Sequence, residues 1–346
     1  LILILFIKTS NMLFKSLKKD SKYIEGKNKP SSWWARKILR IEHDIETKGM
    51  DNFRGLNTGL NTSFSDSEIL DVKSIISKKK LFFYNLINKL FIKEINNQNL
   101  NLTKTYFNNY FDLLKKNYLE SERCKLLIEK YNLKQTSEFG CIKKIKINNQ
   151  DVSTSAIEMI NKIDIINEHT DLSKVKTYCE IGGGFGLNVQ LLVNNFPNIK
   201  KILYIDIYPV IYYGTEYLRK YFKECVIDYA TTKNLKEITF SENNDLEIIC
   251  IPNWEIQKVN VEIDHFHNSH SFVEMSDEIV ENYINFLKDR KTKTYSLVLY
   301  PDKGNDKFEP IQIENIRNKL EIKKELDLEN VVQTDQYSND KLLISN

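Results

Sequence analysis

Glu180-Ile181-Gly182-Gly183-Gly184-Phe185-Gly186 places four of the chain's eleven glycines within five positions, just behind an acid. Glycine gathers where backbone must pass close to a ligand or turn through conformations that a Cβ forbids. The run follows a strand-like stretch, Val175 to Ile181, and precedes a helical pattern, Leu187 to Phe196. A strand, a tight turn and a helix start hold a nucleotide or nucleoside at the crevice of a doubly wound sheet. Twenty residues past Gly186, Asp206 closes a second strand-like run. Its acceptor oxygens match the two hydroxyls of a ribose.

A second set of reactive residues lies further on. His265, His267 and His270 are three of five histidines, and Glu274 follows. Deprotonating a hydroxyl needs a base within hydrogen-bond reach, and imidazole or carboxylate can serve. His270 and Glu274 fall in the loop after a strand and are the candidate catalytic groups. His265 and His267 alternate with Asp264, Phe266 and Asn268 on the strand, so they face the covering helices and are expected to pack. Asn268 and Ser269 are candidates for holding an acceptor hydroxyl, with capping of a turn as the equal alternative. Arg54, in Asn52-Phe53-Arg54-Gly55, can clamp a carboxylate or phosphate bidentately, or form a structural ion pair. Trp33 and Trp34 can stack on a sugar face, but a packing role in an amphipathic helix is the better expectation. Asp264 and Glu274 make no evident cluster of oxygen ligands, so no metal is expected.

The elements that must position these groups can be read from periodicity. Residues 66–133 contain neither Gly nor Pro and carry apolar residues at helical spacing, predicting several packed helices. An earlier helix is predicted near Trp34 to Thr47, with Gly49, Gly55 and Gly59 marking loops. From about Thr177 strands and helices alternate, with strands at 178–181, 202–206, 246–251, 261–268 and 295–300. A helix is expected over 210–222, and another after Ser276 as N-cap with Asp277 and Glu278 in its first turn. A terminal hairpin is expected from 322–328 and 341–345. This alternation demands a mostly parallel sheet covered by helices. We divide the chain into an arm and helical cap region, 1–150, and a ligand-binding α/β domain, 151–346.

Composition bounds the rest. The chain of 346 residues is 41% apolar and 28% charged, which reads as globular. Residues 1–40 carry ten Lys or Arg against two acids, while the net charge is only +3. Such an arm suits weak attachment to an anionic membrane surface, with a solvated tail the better expectation. No interleaving of aromatics and Arg suggests a nucleic-acid partner. The five scattered cysteines form no CxxC pair, which points to a reducing, cytoplasmic setting without disulfides or zinc. Leu1 to Ile7 is far shorter than the roughly 20 residues needed to span a bilayer.

Spacing narrows the ligand. A dinucleotide fingerprint needs glycine where Leu187 stands, and the Lys-Ser or Lys-Thr of a phosphate-binding loop is absent. The pattern Glu-x-Gly-x-Gly-x-Gly instead resembles motif I of class I S-adenosylmethionine-dependent methyltransferases. The resemblance implies a Rossmann-like doubly wound sheet in the order 3-2-1-4-5-7-6, with an antiparallel seventh strand. It places Glu180 at the ligand's amino group, Gly182, Gly183, Gly184 and Gly186 against its nucleoside, and Asp206 with Ile207 at the ribose.

The segment Asn268-Ser269-His270-Ser271-Phe272-Val273-Glu274-Met275 is similar to a signature of a sugar O-methyltransferase family. Tyr217-Leu218-Arg219-Lys220-Tyr221, Ser32-Trp33-Trp34 and Asp51-Asn52-Phe53-Arg54 resemble other stretches of that family. The likeness runs discontinuously over about 30–310. It departs at Asp206-Ile207-Tyr208-Pro209, one residue longer than the Asp-Leu-Pro expected. What it implies is methyl transfer to a saccharide, nucleotide-sugar or glycan hydroxyl. A nitrogen or non-sugar acceptor, and a binding protein that has lost catalysis, are the alternatives.

Overall fold

The structure, a computed structural model, describes residues 12–30, 32–50, 53–55, 112–113, 115–140, 144–300, 311–332 and 340–345. Most of the helical region expected over 66–133, with Gly59 and Cys141, lies outside the described residues.

The arm begins with α1 (residues 12–20) and α2 (Ser32–Lys48), the helix predicted around Trp34. Part of its positive charge is spent internally, since Lys18 pairs with Glu42 at 3.3 Å and with Glu46 at 2.7 Å. After α3 (Glu122–Lys130), a hairpin of β1 (Ile145–Ile147) and β2 (Gln150–Val152) leads into α4 (Thr154–Thr170). Ser153 caps α4 by accepting from the Ala156 N–H at 3.1 Å. Ile157, Ile160, Ile163 and Ile166 form its buried face at helical spacing.

The alternating half builds β3 (Thr177–Ile181), α5 (Leu187–Asn195), β4 (Lys201–Asp206) and α6 (Val210–Phe222). Then come β5 (Val226–Ile227), the short α7 (Tyr229–Thr232), β6 (Glu247–Pro252) and β7 (His265–Ser269). It ends with α8 (Asp277–Asp289), β8 (Thr294–Leu299), α9 (Ile313–Leu320), β9 (Lys324–Asp327) and β10 (Lys341–Ile344). Ser276 is the N-cap residue of α8 as expected, although its side chain makes no capping hydrogen bond.

The sheet order is β5-β6-β4-β3-β7-β8-β10-β9. Strands β5 to β8 pair in parallel, and β10 is antiparallel to both β8 and β9. Seven of these strands reproduce 3-2-1-4-5-7-6 with the antiparallel last strand inserted before the edge. The eighth, β5, is a two-residue strand added outside β6 that the sequence reading did not include.

Central strands are buried on both faces, and alternate residues feed two cores. Tyr178, Ile202, Tyr204, Ile248 and Cys250 pack under the side of α4, α5 and α6. Cys179, Ile181, Leu203, Ile205 and Phe266 pack under the side of α8 and α9. Among the described residues no helix is long and apolar enough to cross a membrane.

Candidate active site

The carboxyl ends of β3, β4 and β7 lie side by side, with Glu180 opposite Tyr204 on one neighbour and His267 on the other. In an open α/β sheet this edge is the ligand crevice. Its floor is the glycine turn. Gly182, Gly184 and Gly186 adopt φ of +73°, +67° and +89°, which side chains avoid. A Cβ on Gly182 would overlap Ser271 Oγ, and one on Gly183 would lie 2.6 Å from the Tyr204 ring and 2.8 Å from the Glu180 carboxyl. Gly186 is the N-cap residue of α5, so the helix starts at the turn.

Two acids face this turn. Asp206 Oδ2 accepts from the Gly184 N–H at 2.9 Å and Oδ1 from the Ile207 N–H at 2.7 Å. Each oxygen keeps a further lone pair, enough for a vicinal diol. Burial pushes the Asp206 carboxyl up to about 7, against those two N–H donors, and Glu274 adds to the push. Glu180 is buried, and its Oε1 accepts from Asn188 Nδ2 at 3.0 Å while Oε2 is buried without a hydrogen-bond partner. Burial pushes Glu180 up to about 8, partly opposed by Asn188. These residues fit a ligand with a cationic group and a ribose: an unpartnered acid oxygen for the first, spare acceptors for the second.

Sequence reasoning missed two supporting residues. Asn188, in the first turn of α5, donates to both Glu180 and Tyr178 OH. Tyr204, in β4, donates its hydroxyl to Gly184 O. Gly214 on α6 leaves room for the Tyr204 ring, since a Cβ there would collide with it. That lone glycine inside a helical pattern was the available signal.

The loop after β7 separates the residues grouped there by sequence. Asn268 is fully buried and its amide is spent: Nδ2 donates to Ile181 O at 2.8 Å and to Ser271 Oγ at 2.5 Å, and Oδ1 accepts from Phe272 N at 3.2 Å. It organises the turn against β3. Ser269, the last residue of β7, stays partly exposed opposite Val298.

His270 takes φ of +65°, donates its N–H to Val298 O at 2.8 Å, and meets Asp340 Oδ2 through Nε2 at 2.8 Å. Glu274 instead ends a short helical turn, where Oε2 accepts from Trp34 Nε1 of α2 at 3.0 Å. Beside it Lys37 lies 4.9 Å from the Trp34 ring, and burial lowers its ammonium to about 8 against the attraction of Glu274. The two candidate bases therefore serve different places, Glu274 on the Asp206 side under the arm and His270 towards β10.

His265 and His267 pack as the strand alternation predicts. The Thr294 hydroxyl donates to Asp264 O, so His265 Nδ1, 2.8 Å away, is the donor to Thr294. Its Nε2 then accepts from Ser296 Oγ at 2.8 Å, which obliges His267 Nδ1 to donate to that same oxygen at 2.9 Å. Burial lowers both rings to about 3, so both are neutral and fixed as the Nδ1–H tautomer.

Arg54 lies away from the loop after β7. It is wholly buried, donates to Thr136 O at 2.5 Å and to Ser153 Oγ at 3.0 Å, and lies 4.7 Å from the Phe185 ring. Its guanidinium ties the arm to the cap of α4 and to the glycine turn, while Nε is buried without a hydrogen-bond partner. Neighbouring Phe53 stacks on Tyr213 at 5.1 Å and meets Phe185 edge-on at 5.6 Å. Among the described residues no three His, Cys, Asp or Glu side chains gather as a metal site.

No protein-family model matches the chain, and no curated protein matches it. Solved structures do. The mitomycin 7-O-methyltransferase MmcR aligns with 56% of this chain and 53% of its own, at 11% identity and TM-score 0.37. The magnesium protoporphyrin IX methyltransferase of Synechocystis PCC 6803, solved with bound SAM, aligns with 55% of this chain and 78% of its own, at 10% identity and TM-score 0.37. A SAM-dependent methyltransferase from Aquifex aeolicus aligns over 55% and 91%, at 16% identity and TM-score 0.32. The chain thus spans about half the length of the first of these. The strand order itself, with β10 reversed between β8 and β9, decides the architecture. The fold is the class I methyltransferase fold.

Proposed function

We propose that the chain is an S-adenosylmethionine-dependent methyltransferase whose acceptor is a hydroxyl, carried by a saccharide or a sugar-containing molecule. The observation that carries the cofactor reading is the pair of buried acids on the glycine turn. Glu180 offers an unpartnered oxygen to an ammonium group, and Asp206 has spare acceptors for a ribose. When bound, the sulfonium supplies an already activated methyl group. The chain's own work is then positioning. The positive φ of Gly182, Gly184 and Gly186 shapes the turn for the nucleoside, Asn188 holds Glu180, and the arm bears on Glu274 through Trp34. His270, at the carboxyl end of β7, is the group placed to take the acceptor proton.

The saccharide reading is supported by the resemblance of the 268–275 segment, and rests less on Asn268, whose amide is used within the turn. Calorimetry with S-adenosylmethionine tests the cofactor: no binding at millimolar concentration sinks the enzyme reading. Labelled-methyl transfer to a panel of nucleotide sugars and oligosaccharides tests the acceptor. Methylation of amines alone would refute the hydroxyl assignment.

A further inference from the structure

We propose that Asp340 and Lys162 are positioning residues for His270, fixing its tautomer and holding it uncharged so that Nδ1 presents a lone pair to the acceptor hydroxyl. For its chemistry the inference rests on the methyl-transfer reading; for its geometry it rests on a buried cluster far apart in sequence. Asp340 stands immediately before β10 and is 3% exposed. Its Oδ2 lies 2.8 Å from His270 Nε2 and 3.8 Å from Lys162 Nζ on α4, and its Oδ1 is buried without a hydrogen-bond partner. A carboxylate only accepts, so Nε2 carries the hydrogen and the neutral ring keeps its lone pair on Nδ1.

The backbone of His270 is held as well. His270 sits in the left-handed region, pinned by its N–H to Val298 O, with its ring 5.6 Å from that of Tyr300. The next residue, Ser271, packs against Gly182, so the residue adjoining His270 touches the glycine turn. The His270 side chain remains 29% exposed, which leaves an edge open to a substrate.

Charge decides the protonation state. The groups facing the ring are Lys162 from α4, His267 from β7, Tyr300 after β8 and Asp340 before β10, with Glu158 one helical turn before Lys162. His267 is neutral, and burial pushes Glu158 above the usual carboxylate range. Burial lowers Lys162, and Asp340 and Glu158 oppose that; with Lys162 charged, Asp340 is already matched, and a charged His270 would place two cations on one carboxylate. Burial and Lys162 lower the ring's proton affinity, and Asp340 opposes them. In the step itself the acceptor O–H breaks, its proton joins Nδ1 and the electron pair stays on the acceptor oxygen. The resulting imidazolium is stabilised by Asp340 until its proton leaves through the exposed edge.

The test combines ring NMR on the full chain without cofactor with steady-state kinetics. Nitrogen-resolved spectra of the wild type are expected to show His270 as the Nε2–H tautomer. Asp340→Asn, whose amide can donate to Nε2, should convert it to Nδ1–H, and Lys162→Met should raise the ring's pKa by about a unit. Asp340→Asn should lower kcat roughly 100-fold with acceptor KM and cofactor affinity unchanged, and Asp340→Glu should restore part of it. An Nδ1–H tautomer in the wild type overturns the proposal. So does a ring that titrates identically in Lys162→Met, or a tautomer change with no loss of kcat. Should Asp340→Asn fail to fold, the Lys162→Met titration and the wild-type tautomer decide alone. Failure of the wild type to bind S-adenosylmethionine is a separate readout and overturns the methyl-transfer reading instead.

Discussion

Four buried carboxylates form two pairs with opposite electrostatics. Asp164 accepts from Lys130 Nζ and Tyr131 OH, both at 2.5 Å, and from Arg123 at 2.8 Å. Burial pushes it up, but these partners together hold it below its ordinary value. Asp340 behaves alike, with His270 and Lys162 outweighing burial. Glu180 and Asp206 have only amide donors and rise to about 8 and 7. A buried acid with a cation beside it has its charge matched within the fold, whereas one without a cation is poised for a ligand that brings positive charge or hydroxyl donors. Partners account for much of the difference, since all four are less than a tenth exposed.

The sharpest way to break that comparison is to remove a member of each group. Asp206→Ala and Glu180→Gln should each weaken S-adenosylmethionine binding about 100-fold by calorimetry, the scale of a lost charged hydrogen bond of about 3 kcal/mol. An unchanged Kd in either would dissolve the distinction. Asp164→Asn should instead cost about 2 kcal/mol in thermal unfolding, because its cations are partly exposed, and leave the Kd alone. Arg54→Met belongs with it: stability should fall by a similar amount, and a raised acceptor KM without a stability loss would restore its role as a substrate ligand.

Much of this division could be read from the residues alone. Glu180 stands one residue from the end of β3 and Asp206 ends β4, so local spacing put both acids at the carboxyl edge of the sheet. The strand alternation likewise sent His265 and His267 into the packing under α4, whereas Asn268, on the other face, went to Ile181 O. What spacing cannot reveal is a partner brought in by tertiary contact. Asp340 reaches His270 across 70 residues, and Trp34 reaches Glu274 across 240. Lys162 was hidden for another reason: with Glu158 it makes an i,i+4 pair of opposite charge, the usual mark of a solvated helix face, yet burial perturbs both. Strand β5 was missed because two residues carry no periodicity.

A smaller effect follows from the raised acids. Glu180, at about 8 in the fold and near 4.5 unfolded, adds stability below pH 4.5 that is lost as pH rises through 8. Glutamine does not titrate. Glu180→Gln should therefore melt near the wild type at pH 5 but on the order of 5 °C above it at pH 9, while binding no better. A melting difference independent of pH would mean that Glu180 is ionised in the free protein, and would move it into the paired group.

The smallest expected change tests where the ligand site ends. Trp34→Phe keeps an aromatic ring on α2 but removes the N–H that Glu274 accepts at 3.0 Å. Glu274 bears electrostatically on Asp206, so the arm and Asp206 are coupled through one carboxylate. A single neutral donor to a charged acceptor at a half-buried site is worth about 1 kcal/mol. Calorimetry should then give a cofactor Kd weakened by roughly threefold to tenfold, with the melting temperature lowered by only a few degrees. A loss as large as that of Asp206→Ala would make the arm part of the binding surface itself, since no change in Glu274 hydrogen bonding alone reaches that size.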